Sequence, residues 1–155
     1  MDAAGVAAAN NFLSLFNPTG SGKTLYLFLA KVSAYGVALA TTKNSIRLTR
    51  ISAASVGTLQ ADSVVAKFNT KSPDPVAEVR TGNPTITAVA EFWATPPQDV
   101  ITAAGVGVPV TDKFNPHEIT ETFVVLLEGQ GVVIRQTIAG DIDQTFDMVV
   151  VWGEA

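Results

Sequence analysis

Cysteine is absent from these 155 residues, so neither a disulfide framework nor a thiolate-held metal can form, and the redox compartment cannot be read. Histidine occurs once, at His117. A Ser-His-Asp site would have to use it, yet no G-x-S-x-G elbow accompanies it, and it reads as a surface or interface residue. Charge is scarce, 15% Asp, Glu, Lys and Arg against about 25% in ordinary domains. No basic cluster interleaved with aromatics appears and the net charge is −4, which argues against nucleic acid as a partner. Met1-Asp2-Ala3-Ala4 lacks the basic start of a secretory signal. The longest apolar stretch, Leu25 to Ala40, is interrupted by Lys31, Ser33 and Gly36 and is no membrane span. The chain is therefore expected to be soluble and made in the cytoplasm.

What is present is apolar. Hydrophobic residues make up 47% and the mean hydropathy is +0.30. A free-standing monomer keeps itself soluble with more surface charge than this. Either the surface is rich in Thr, Ser, Asn and Gln, or other subunits cover much of it. The second reading is favoured, because interface cores are depleted in charge. The charge is also lopsided: residues 1–77 carry seven Lys/Arg against Asp2, Asp62 and Asp74, while 78–155 carry Arg80, Lys113 and Arg135 against eleven carboxylates.

The length suits one domain. From Leu25 onward, segments of strand length recur between turn signals, as in all-β domains. They comprise Leu25–Ala34, Val37–Thr42, Ser45–Ser52, Val76–Thr81, Thr85–Trp93, Val106–Val110, Ile119–Leu127, Val132–Ile138 and Thr145–Glu154. Ser45–Ser52 alternates cleanly, which places Ile46, Leu48 and Arg50 on one face. Ser63–Phe68 fits a short helix or a strand equally. The last three segments, joined at Glu128-Gly129-Gln130-Gly131 and Ala139-Gly140-Asp141, read as an antiparallel meander. The expected fold is all-β, a single antiparallel β-sandwich of jelly-roll type over residues 17–155. Residues 1–16 read as an N-terminal arm: 1–11 are Ala- and Asn-rich without periodicity, and Phe12, Leu13, Leu15 and Phe16 form a short apolar anchor.

One stretch suggests chemistry. Asn17-Pro18-Thr19-Gly20-Ser21-Gly22-Lys23-Thr24 approaches the phosphate-binding pattern G-x-x-x-x-G-K-[ST], with Asn17 where the first glycine belongs. Such a loop must follow a strand and open a helix, whose N-terminus supplies part of the anion site. The residues after Thr24 are aromatic and β-branched, and the apolar run Met148–Glu154 offers Trp and Gly where a metal-holding Asp is needed. The motif is read as a Gly/Ser turn leading into a strand, with nucleotide binding by Gly22, Lys23 and Thr24 as the alternative. Asp141, Asp143 and Asp147 could gather around calcium, but they lack the loop glycine and closing Glu of an EF-hand, and Asp equally caps turns. Glu118 and Glu121 sit at an odd separation, on opposite faces, and form no acid–base couple. Tyr35, Phe92 and Trp93 could line a sugar groove, though aromatics in sandwiches are mostly core. No catalytic residue and no cofactor is assigned.

The C-terminal strands, with Leu127-Glu128-Gly129-Gln130-Gly131, then Val-Val-Ile-Arg-Gln-Thr and a closing Val-Val-Trp-Gly-Glu, resemble the last strands of tailed-phage virion proteins. The opening Asn17–Lys23 turn before aromatic-rich strands is similar to the first strand entry of that group, which includes capsid decoration (cement) proteins and small head or tail accessory proteins. The likeness covers about two-thirds of the chain and rests on turn-and-strand patterns. It implies a non-enzymatic structural protein of the virion, bound to the major capsid protein. A homotrimer would match the three-fold sites of a capsid lattice, and the arm, through Phe12, Leu13, Leu15 and Phe16, would reach a neighbour. The alternative is a tail or fibre module that binds a receptor or carbohydrate.

Overall fold

The computed structural model describes residues 2–4, 10–36, 41–44, 46–67, 71, 73–94, 98–101, 110–116, 118, 122–137 and 144–155. Its strands are β1 (Asp2–Ala4), β2 (Asn10–Asn17), β3 (Leu25–Gly36), β4 (Thr41–Asn44), β5 (Ile46–Ser55), β6 (Thr58–Leu59) and β7 (Glu78–Thr81). They continue with β8 (Thr85–Ala94), β9 (Gln98–Ile101), β10 (Val110–Phe114), β11 (Val124–Leu126), β12 (Gln130–Gln136) and β13 (Gln144–Glu154). The protein is all-β and sandwich-like. A five-stranded sheet runs β1-β13-β3-β10, with β11 also on β3, and a six-stranded sheet runs β6-β7-β2-β12-β5-β8. A two-stranded ribbon joins β4 and β9. Every pairing among the described residues is antiparallel.

Alternation of side chains decides which face each sheet buries. Leu25, Leu27, Ala30, Val32, Phe146 and Met148 from the five-stranded sheet meet Leu13, Leu15, Leu48, Val79, Val132 and Ile134 from the six-stranded sheet in one core. The rings of Phe12 and Phe146, 4.8 Å apart, link the two layers. Glu154, at the end of β13, reaches the segment that leads into β7: its carboxylate accepts the backbone N–H groups of Val76 and Ala77 and the indole N–H of Trp152.

The expected arm is corrected where it can be described. Asn10–Asn17 is β2, an interior strand paired with β7 on one side and β12 on the other. Phe12, Leu13 and Leu15 are 2%, 4% and 0% exposed and belong to the protein's own core. Phe16 is half-buried, so the domain begins before residue 17. A bulge hides this in the sequence: β12 steps from Leu13 at Ile134 to Asn11 at Arg135, leaving Phe12 as the extra residue. Two consecutive apolar residues then face inward, and the period-2 signature is lost. Residues 5–9 lie outside the described residues.

The C-terminal meander is also corrected. β11 pairs with β3, β12 with β2 and β5, and β13 with β3 and β1, so the chain crosses between sheets at both turns. Residues 119–121 of the expected Ile119–Leu127 strand lie outside the described residues, and the described part narrows to β11. The Val106–Val110 segment lies outside them except for Val110, which opens β10. The ambiguous Ser63–Phe68 contains neither a long helix nor a strand in its described part, only the end of a 3-10 turn, Asp62–Val64.

At Gly131, paired with Phe16, there is no room on β12 for a side chain. A Cβ there would lie 2.5 Å from the Leu15 carbonyl oxygen and 2.8 Å from Cδ2 of Phe16. Both obstacles belong to the paired strand and one is backbone, so Gly131→Ala is expected to cost about 1–3 kcal/mol, read by urea denaturation. Unchanged stability would mean that the two strands part easily.

Candidate interaction surface

The phosphate-loop lookalike connects β2 to β3, and a strand follows Thr24 where a nucleotide loop needs a helix. Gly20 and Gly22 adopt φ of +83° and +67°, which turns their N–H groups outward together. The anion they hold is the protein's own. Glu128 accepts the Gly20 N–H at its Oε2 and the Gly22 N–H at its Oε1, both at 2.8 Å. Asn17 organises the turn from inside. Its Nδ2 donates to the carbonyls of Lys23 and Leu126, its Oδ1 accepts the Ser21 hydroxyl, and its own carbonyl accepts the Gly129 N–H. The residue that breaks the nucleotide consensus is thus the one that holds this corner together.

Among the described residues the other sequence candidates do not come together in a site. Trp93 packs on the core with its ring 5.9 Å from Phe114. Glu118 pairs with Lys113 on the surface. Asp147 is half-buried on β13. His117, Glu121, Asp141 and Asp143, and the side chains of Tyr35 and Phe92, lie outside the described residues. Among the described residues no group of three acidic or histidine side chains could hold a metal ion.

What the structure does bring together is an apolar outer face on the five-stranded sheet. Leu25 and Leu27 point inward, which turns Tyr26 outward; Met148, Val150 and Trp152 point inward, which turns Val149 and Val151 outward. Val125 lies directly across from Tyr26, and Leu29 across from Val151. Phe28, the bulge residue opposite the Val151/Trp152 step, sits over Gly153, with its ring carbons 3.0 Å from where a Cβ would be. Phe123 meets Phe28 edge-to-face at 4.9 Å. Phe28, Phe123, Val125 and Val149 are all exposed, and Tyr26, Leu29 and Val151 are half-buried among them. Lys31 and Lys113, opposite each other across β3 and β10, continue the face beyond Val149.

A solvated sheet face should alternate with polar residues. This one presents aromatic and β-branched side chains in adjacent positions, the composition of a protein-binding patch. The sequence reading missed it, although a signal existed. Met148-Val149-Val150-Val151-Trp152 is apolar at both parities, which marks a strand covered on both sides.

Comparisons with protein-family models, with curated proteins and with solved structures return no match.

Proposed function

We propose that the protein is a non-enzymatic structural module of a tailed-phage virion that docks onto the capsid as a decoration protein. The observation that carries the docking role is the exposed apolar face formed by Tyr26, Phe28, Phe123, Val125, Val149 and Val151. The assignment to a virion rests on the resemblance of the strand-and-turn pattern. Low surface charge and a sandwich scaffold fit a part that is covered once assembled, as a second copy or a lattice subunit would cover it. The major capsid protein is the partner this reading names, and self-association into a trimer is its companion expectation.

The test is whether the protein remains with purified virions and emptied heads, and whether the double variant Val125→Glu/Val149→Glu abolishes that retention. Both valines are exposed, so the folded state should change by no more than about 1 kcal/mol. Two carboxylates in the centre of a dry interface should weaken attachment at least about 100-fold. A well-folded double variant that still attaches would remove this face from the function. Wild-type protein absent from virions would remove the virion reading itself.

A further inference from the structure

The opposite outer face, on the six-stranded sheet, is built differently. One register row crosses Arg80, Ser14, Val133, Thr49 and Glu91, and the next crosses Asn11, Arg135 and Arg47. Three arginines therefore share this face with two carboxylates. Arg80 pairs with Glu78 at 2.9 Å, and Arg47 pairs with Glu91. The side chain of Arg135, on a central strand, has no ion pair or hydrogen bond among the described residues. It also stands directly opposite Arg47. Like charges facing each other across an antiparallel pair are destabilising.

Beside this pair, polar atoms are buried without partners. They are the hydroxyls of Ser14 and Thr49, on residues 0% and 1% exposed, and the Nε atoms of Arg47 and Arg135. Their positions lie within one or two strand spacings of Arg135, about 5–10 Å. All four can donate a hydrogen bond, and the two guanidinium nitrogens can only donate. Buried polar groups in folded proteins are nearly always satisfied, and among the described residues these donors meet no acceptor.

We propose that Arg135, with Arg47 directly opposite it, forms a docking site for a single carboxylate presented by an acidic protein partner. The face itself indicates the ligand class, because its other two arginines each hold a carboxylate. Glu78 and Glu91, together with the net charge of −4, disfavour a polyanion such as nucleic acid. Arg is suited to the role because its fork engages both carboxylate oxygens. The site is independent of the apolar face and stands or falls without it.

The probe is N-acetylglutamic acid α-amide, titrated into the intact protein at constant ionic strength while the arginine Nε–H resonances are followed by NMR. Sodium chloride and inorganic phosphate are run in parallel. The expected result is a saturable shift of the Arg135 and Arg47 resonances with the carboxylate, while Arg80 stays still. Arg135→Lys should weaken the response at least about fivefold, because a point charge replaces the fork. Arg135→Thr should abolish it while leaving the melting temperature unchanged or about 1–4 °C higher, because a like-charge contact disappears and Thr suits a strand. Three results would overturn the proposal: shifts no larger than with chloride, equal or stronger binding of phosphate, or a melting temperature lowered by more than about 4 °C in Arg135→Thr, which would make Arg135 a structural residue.

Discussion

Leu15→Ala is expected to destabilise the protein by about 3–5 kcal/mol, measured by chemical denaturation. Leu15 is fully buried, and its cross-strand neighbours are Val79 on β7 and Val132 on β12. Truncation there removes apolar contacts and leaves a cavity between two strands that cannot close without breaking their ladders. Since a whole domain is stable by only about 5–15 kcal/mol, a large share of the total is at stake. Deleting residues 1–16 should go further and prevent folding. β2 is the strand that joins β6 and β7 to β12, β5 and β8, and without it the six-stranded sheet falls into two pieces. A truncated protein that folds as before and loses only its associations would restore the arm reading.

The contrast between that strand and β5 shows what the sequence made legible. Ser45–Ser52 alternates in sequence, and Ile46 and Leu48 are buried with Arg47 half-buried between them, but Thr49 and Ile51 are buried too where the pairing with β8 shifts register. Phe12-Leu13-Ser14-Leu15-Phe16 carries a bulge, so its inward set is Phe12, Leu13 and Leu15. Read at period 2 it resembles a short apolar anchor. The Ala- and Asn-rich residues before it carry no periodicity that would mark a strand. The all-β class, the strand-length segments and the glycine turn at 128–131 could be read because each depends on local backbone preference. Which sheet a strand joins depends on partners far along the chain. The turn before β12 looks like a hairpin locally, yet its two strands enter different sheets.

The same distinction separates the two outer faces. On β12, Val132 and Ile134 point into the core and Val133 and Arg135 point out, so the local pattern places Arg135 correctly. No local pattern places it across from Arg47, which lies 88 residues earlier, or beside the buried hydroxyls of Ser14 and Thr49. The apolar face required three strands, β3, β11 and β13, to be aligned before its aromatics became neighbours. Surfaces made by non-local pairing are the part of function that sequence periodicity leaves open. In a sandwich most of the functional surface is of that kind.

Replacing Asn17 with glycine would complete the phosphate-loop consensus, and it is expected to weaken the protein by about 2–4 kcal/mol while creating no nucleotide affinity. Asn17 is fully buried, with its side-chain amide donating to Lys23 and Leu126 and accepting from Ser21. Removing it strands two carbonyls and a hydroxyl, each costing about 1–3 kcal/mol if left dry and less where water can enter. The anion-binding N–H groups of Gly20 and Gly22 already hold Glu128, and β3 follows instead of a helix, so no phosphate gains a site. Lys23→Ala serves as the control: it alters a lysine that a true nucleotide loop cannot spare, and here it should cost no more than about 0.5 kcal/mol. Denaturation curves and magnesium-dependent ATP binding would be measured on wild type and both variants. Micromolar ATP binding in Asn17→Gly, or its loss from wild type on Lys23→Ala, would show that the turn is a nucleotide site after all.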